Sequence, residues 1–245
     1  MSAGTAEGSG RTCLVTGAGR GLGRAISVHL AAPGTRLLLH YHRSEAGARE
    51  SAAAAQQRGA AATLLQADLA DLAARERLMD AVERETRTLQ VLVNNVGVYP
   101  EQALLDTRPE DWQAVLEVTC SAVFHLTRRA VPLLRAGAPA RVINLGDSGA
   151  DRIVARPQAT AYHVAKLGVH VLTRSFAKAL AADGITVNQI SPGFLEDSVG
   201  EPGSPMPAGR RGSAADILGA LDYLLSPAAS YVNGANLVVS GGWNA

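Results

Sequence analysis

Lysine is almost missing from this chain. Of its 23 basic residues, two are lysines, Lys166 and Lys178, and the other 21 are arginines. Neither sign of charge dominates: 22 acidic residues leave a formal charge of +1, which gives no electrostatic case for nucleic acid. The tightest basic pairs, Arg128–Arg129 and Arg210–Arg211, are too small to form a patch. Cysteine is limited to Cys13 and Cys120, which excludes a disulfide framework and points to two reduced, buried thiols in apolar surroundings. No apolar run reaches the roughly 18 residues of a membrane span. The first ten residues lack the apolar centre of a secretory signal. A cytoplasmic protein that touches neither membrane nor nucleic acid is expected.

What is present is a globular composition, 47% hydrophobic and 18% charged over 245 residues, enough to bury a sizeable core. After a loose tail over residues 1–10, strand-like apolar runs alternate with helical patterns through a single domain, 11–245. Strands are expected at Cys13–Val15, Leu37–Leu39, Leu64–Leu65, Val91–Val93, Val142–Leu145, Ile185–Val187 and Leu237–Val239. Helical periodicity fills the intervals, with long helices near 109–135 and 160–182. Alternation of this kind predicts an α/β fold: one Rossmann-type, doubly wound parallel sheet flanked by helices. Continuous apolar strands fit a sheet covered on both faces.

The first strand runs into Thr16-Gly17-Ala18-Gly19-Arg20-Gly21-Leu22-Gly23. Glycines between a strand and a helix let a diphosphate approach backbone N–H groups at the helix N-terminus. An NAD-preferring site places an acid about 20 residues later. Here the second strand ends instead in His40-Tyr41-His42-Arg43-Ser44. A guanidinium and a hydroxyl suit the 2′-phosphate of NADPH, although Arg43 also reads as a solvated loop arginine. On a helix, Tyr162 and Lys166 project from one face. An ammonium there stabilises phenolate, lowering a reference pKa of ~10 toward acid–base use.

Together these segments resemble the short-chain dehydrogenase/reductase family over nearly the whole chain. Thr16-Gly-x-x-x-Gly-x-Gly23 matches its fingerprint, Asp68 its adenine-side acid, and Asn94-Asn95-Val96-Gly97 its Asn-Asn-Ala-Gly motif. Tyr162-x-x-x-Lys166 matches its catalytic pair, and Ser191-Pro192-Gly193 its loop over the nicotinamide. Leu39–Ser44 and Gln66–Leu69 look especially like the pteridine reductases; the general layout is similar to carrier-protein ketoreductases. The resemblance implies a small-molecule substrate and an NADPH site of Gly17, Arg20, Gly21, Leu22, His42, Arg43, Ser44, Asp68, Leu69, Asn95, Val96, Gly97, Tyr162, Lys166, Pro192 and Gly193. It implies hydride transfer to a C=O or C=N carbon, with Tyr162 as proton donor and Lys166 holding the ribose.

Two departures from the family pattern stand out. Its third catalytic residue, a serine, aligns with Asp147 from the strand side and with Ser148 or Gly149 counting back from Tyr162. An aspartate there resembles the pteridine reductases and favours C=N chemistry. Thr119 stands where the family has an asparagine that helps hold a relay water. These departures keep a second reading open, a non-catalytic NADP(H)-binding regulatory protein. Tyr99 either stacks on a planar substrate or packs on its own domain. His163 and His170, near Lys166, read as core or interface residues, and no metal set is evident. The segment Glu201–Pro207 is proline-stiffened and leaves little room for a long lid. Gly241-Gly242-Trp243 either reaches a neighbouring site or packs locally. Val123, Leu126, Val169 and Leu172 on the two long helices would serve a homodimer or homotetramer.

Overall fold

The structure, a computed structural model, describes residues 10–149, 151–198, 200 and 205–243. Residues 1–9 of the expected tail, and 201–204 of the proline-stiffened segment, lie outside the described residues. Seven strands form one sheet: β1 (Thr12–Val15), β2 (Arg36–Tyr41), β3 (Ala61–Gln66), β4 (Val91–Asn94), β5 (Ala140–Leu145), β6 (Ile185–Pro192) and β7 (Asn236–Val239). Their order is β3-β2-β1-β4-β5-β6-β7, and every pairing is parallel. The chain builds outward from β1 to β3, then crosses back to β4 on the other side of β1. The loops after β1 and β4 therefore part over a crevice at the C-terminal edge, the place where such sheets bind ligands.

Helices cover both faces. Helices α1 (Gly21–His29), α2 (Glu45–Gln57) and α7 (Ala214–Leu225) lie on one, and α3 (Leu72–Glu85), α5 (Ala122–Ala136) and α6 (Thr160–Leu180) on the other. Alternate strand residues feed the two cores. Leu14, Leu38, Leu92 and Val142 pack toward α3, α5 and α6; Cys13, Leu37, Val91 and Ile143 pack toward α1, α2 and α7. Because side chains alternate along a strand, a sheet buried on both faces must be apolar at consecutive positions.

The long helix expected near 109–135 is α4 (Pro109–Leu116) and α5 joined through a π-helical turn, Glu117–Ser121. Three of the four apolar positions assigned to an intersubunit face need correction: Val123, Leu126 and Val169 are buried inside the subunit. Leu172 does lie on the face that α5 and α6 leave outside, together with Phe124, Val164, Leu167 and Val171. Cys120 lies on that same face and is only half-buried, unlike Cys13. Apolar periodicity marked the helices correctly, but these two helices are apolar on an outer face as well.

Two polar arrangements stiffen the site edge. Asn94 Nδ2 donates to Asn144 Oδ1 (2.8 Å) and Thr127 Oγ1 (3.1 Å), and Asn144 Nδ2 donates to Thr173 Oγ1 (2.9 Å), tying β4, β5, α5 and α6 together inside the core. His40, on β2, is 1% exposed. Its Nδ1 accepts from the Gly17 N–H (3.2 Å) and its Nε2–H donates to the Ala67 carbonyl (3.1 Å). A neutral imidazole thus joins the glycine turn to the end of β3.

Burial lowers the His40 imidazole from 6.5 to about 4, against the bond to Ala67. As pH falls, the unfolded chain therefore takes up this proton before the folded one does. The stability linked to His40 should be complete above about pH 6.5 and drain toward pH 4, by about 3 kcal/mol. Urea unfolding across that range should give a flatter profile for His40→Gln than for the wild type. Parallel profiles would contradict the role assigned to His40.

Candidate active site

The nucleotide half is assembled by two turns that hold each other. Thr16 Oγ1 accepts from the N–H of Asn95 (2.9 Å) and of Val96 (3.3 Å), and Asn95 Nδ2 donates to the Thr16 carbonyl (2.9 Å). Asn95 is thereby a fastener between the β1 and β4 turns. Gly17 has φ +69°, and a Cβ there would lie 2.9 Å from Val96 Cγ2. Gly21, the first residue of α1, has φ +50°. A Cβ on Gly23 would collide with the Gly17 carbonyl. Since α1 starts with neither a side-chain cap nor an acid in its first turn, its N-terminal N–H groups are left to an outside anion. This cradle fits a diphosphate.

At the adjacent edge, His42 and Asp68 approach at 3.7 Å, both part-exposed. Asp68 Oδ1 also accepts from the Ala70 N–H, which fixes its carboxylate. Arg43 is exposed at the end of β2 and Ser44 directs its hydroxyl to the Gly19 carbonyl (3.4 Å). Arg20 is exposed just before α1, and Leu22 packs partly against the core. Leu69 differs from the rest: its side chain belongs to the core, so only its backbone is left for the site. In the Pro192-Gly193 segment at the end of β6, Gly193 N–H donates to Val239 O (3.0 Å), while Pro192 O accepts from Ser148 N–H (3.0 Å).

The other half sits where α6 begins against the end of β5. Lys166 is 4% exposed, and its Nζ donates to the Leu145 carbonyl at 2.6 Å. Nζ lies 5.6 Å from the Tyr162 ring centroid. Burial lowers its pKa to about 8, opposed by the charge of Asp147 and by Cys120. Gly97 passes so close that a Cβ there would lie 3.1 Å from Nζ. A side chain at 97 would press on that ammonium.

Burial first, then the Asp147 charge and Tyr99, hold the Tyr162 phenol well above its usual 10. This reverses the expectation that Lys166 lowers it. The ammonium faces the ring and is committed to the Leu145 carbonyl, whereas the Asp147 carboxylate acts on the phenol with the opposite sign. Ser148 is buried next in the same loop, and the Gly149 N–H donates to Asp147 Oδ1 at 2.9 Å. Tyr99 packs edge-on against Tyr162, ring centroids 5.0 Å apart.

Thr119 lies in the π-helical turn, fully buried, and its Oγ1 accepts from the Val98 N–H at 3.2 Å. Its hydroxyl therefore braces the loop after β4. Trp243 packs edge-on against Phe194, centroids 5.4 Å apart, within the subunit. Among the described residues no group of three His, Cys, Asp or Glu side chains gathers as a metal site. Sequence reading missed three features here: His40, the π-helical turn, and Ala159, which enters α6 in the left-handed region at φ 51°. A histidine inside an otherwise apolar strand was a legible signal; the other two leave none.

Comparison with known proteins places this geometry among oxidoreductases. Residues 17–244 match the family profile described as Enoyl-(Acyl carrier protein) reductase. The 3-oxoacyl-[acyl-carrier-protein] reductase of Synechocystis sp. is 32% identical over 239 residues, covering 95% of this chain and 96% of that protein. The FabG enzyme of the same description from Escherichia coli is 34% identical over 242 residues, covering 95% and 97%. A short chain dehydrogenase from Burkholderia cenocepacia, solved in complex with NADP, superimposes with a TM-score of 0.88 at 30% identity, covering 96% and 98%.

Asp147 raises both the phenol and the ammonium, so Asp147→Asn should lower the two together. The Tyr162 midpoint should fall by roughly one unit or more, measured as tyrosinate absorbance with Tyr162→Phe as the blank. A midpoint that stays put would show that Asp147 does not govern the phenol.

Proposed function

The chain belongs to the short-chain dehydrogenase/reductase family, and on that premise we propose that it is an NADPH-dependent reductase of a ketone or a C=N compound. The observation that carries the reading is the buried Lys166 ammonium, bonded to the Leu145 carbonyl and placed 5.6 Å from the Tyr162 ring centroid at the crevice edge. When bound, NADPH supplies the hydride. Gly17, Gly21 and the start of α1 would hold its diphosphate, Asp68 its adenosine side, and Arg43 with Ser44 its 2′-phosphate.

The chain's own part is the proton. A phenol kept above its ordinary pKa is fully protonated near neutral pH, which suits a donor to the product heteroatom and handicaps a base. Lys166, poised at about 8, can pass a replacement proton toward Tyr162. Asp147 acts on the same phenol through its charge, and its carboxyl oxygens can accept hydrogen bonds from a substrate. A ketone oxygen would take its proton from Tyr162. A substrate bearing its own N–H or a protonated C=N would bring a donor to Asp147, which favours C=N reduction as the second reading. The carrier-protein ketoreductases among the relatives support the ketone. The outward apolar face of α5 and α6, around Phe124, Val164 and Val171, is proposed to seat a second copy of the chain.

NADPH consumption measured with β-ketoesters, cyclic imines and dihydrobiopterin side by side tests the reading. Turnover of one class is expected. If the imine leads, Asp147→Ser should shift preference toward the ketoester by about tenfold or less, the scale of one charged hydrogen bond. Tight NADPH binding with no turnover of any class would instead support a regulatory NADP(H)-binding protein.

A further inference from the structure

The turn at Leu195–Ser198, just after the Pro192-Gly193 segment, is built to hold one side chain in place. Leu195 N–H donates to Ser198 Oγ (2.9 Å), and Ser198 N–H returns to the Leu195 carbonyl (3.1 Å). Leu195 is buried in the core beside α7, and the strand-like bridge to Gly212 is closed by Glu196 N–H to Gly212 O and Gly212 N–H to Phe194 O, both 2.9 Å. Asp197 stands at the tip. Its Oδ2 reaches the first residue of α1, lying 2.8 Å from where a Cβ on Gly21 would be. No substituted residue at 21 would leave space for it.

A helix N-terminus attracts negative charge. With no acid in its own first turn, α1 has this exposed carboxylate from a distant loop beside its first residue. On the nucleotide reading argued above, the diphosphate needs the same N–H groups. Two anions cannot share one helix start without strong repulsion.

We propose that Asp197 is an internal competitor for the cofactor's diphosphate, its carboxylate standing beside the start of α1 and opposing a second anion there. Its charge sets cofactor affinity. Since NADPH and NADH share the diphosphate, the effect is blind to the 2′-phosphate.

Fluorescence titration of the full chain with each cofactor tests this. Asp197→Asn and Asp197→Ser should both bind NADPH and NADH more tightly by about three- to tenfold, with the gain shrinking as salt is raised. Asp197→Glu, which keeps the charge, should stay near the wild type. Unchanged or weaker binding in the neutral variants would overturn the proposal. So would a gain confined to NADPH, which would place Asp197 at the 2′-phosphate instead. If the wild type and every variant bound neither cofactor, the nucleotide reading itself would fall, and the proposal with it.

Discussion

A buried ammonium needs a partner, and the bond from Lys166 to the Leu145 carbonyl supplies it at 2.6 Å. Leaving such a charge unpaired in the interior would cost several kcal/mol or neutralise it. The bond fixes the first turns of α6 to the end of β5, and so fixes where Tyr162 stands. Gly97 runs close beside it, where a Cβ would lie 3.1 Å from Nζ. In a chain that otherwise favours arginine, the buried cation here is the compact ammonium of a lysine.

Around that anchor, the two halves of the site are held by different means. Hydrogen bonds between Thr16 and the Asn95–Val96 segment close the nucleotide turn, and His40 braces it from β3. The reacting end depends on charge. Asp147 stands against a phenol that burial already disfavours as an anion, and both effects keep the proton on oxygen. A site tuned in this direction keeps the phenol in its protonated form at neutral pH and leaves little phenolate to act as a base.

Much of this was legible in the residues. All seven strands fall on the apolar runs, since a doubly covered parallel sheet leaves few other ways to arrange consecutive Val, Leu and Ile. The glycine turn and the Tyr162–Lys166 pair were readable because each needs fixed spacing. Spacing gives a shared helix face but not the direction of a flexible tip, so the ammonium was expected to act on the phenol oxygen. Likewise, Val123 and Val169 share an apolar pattern with Phe124 and Val171, and only packing shows which of them faces outward. Contacts between segments far apart in sequence, such as Asp197 with Gly21, leave no periodicity to read.

If Tyr162 delivers the proton in an NADPH-dependent reduction, removing its hydroxyl must stop turnover and spare cofactor binding. Steady-state kinetics of Tyr162→Phe, measured beside its NADPH affinity, should show kcat lower by about 100- to 10,000-fold, the range of one general acid, with NADPH affinity within a few-fold of the wild type. Turnover close to wild type would contradict that role.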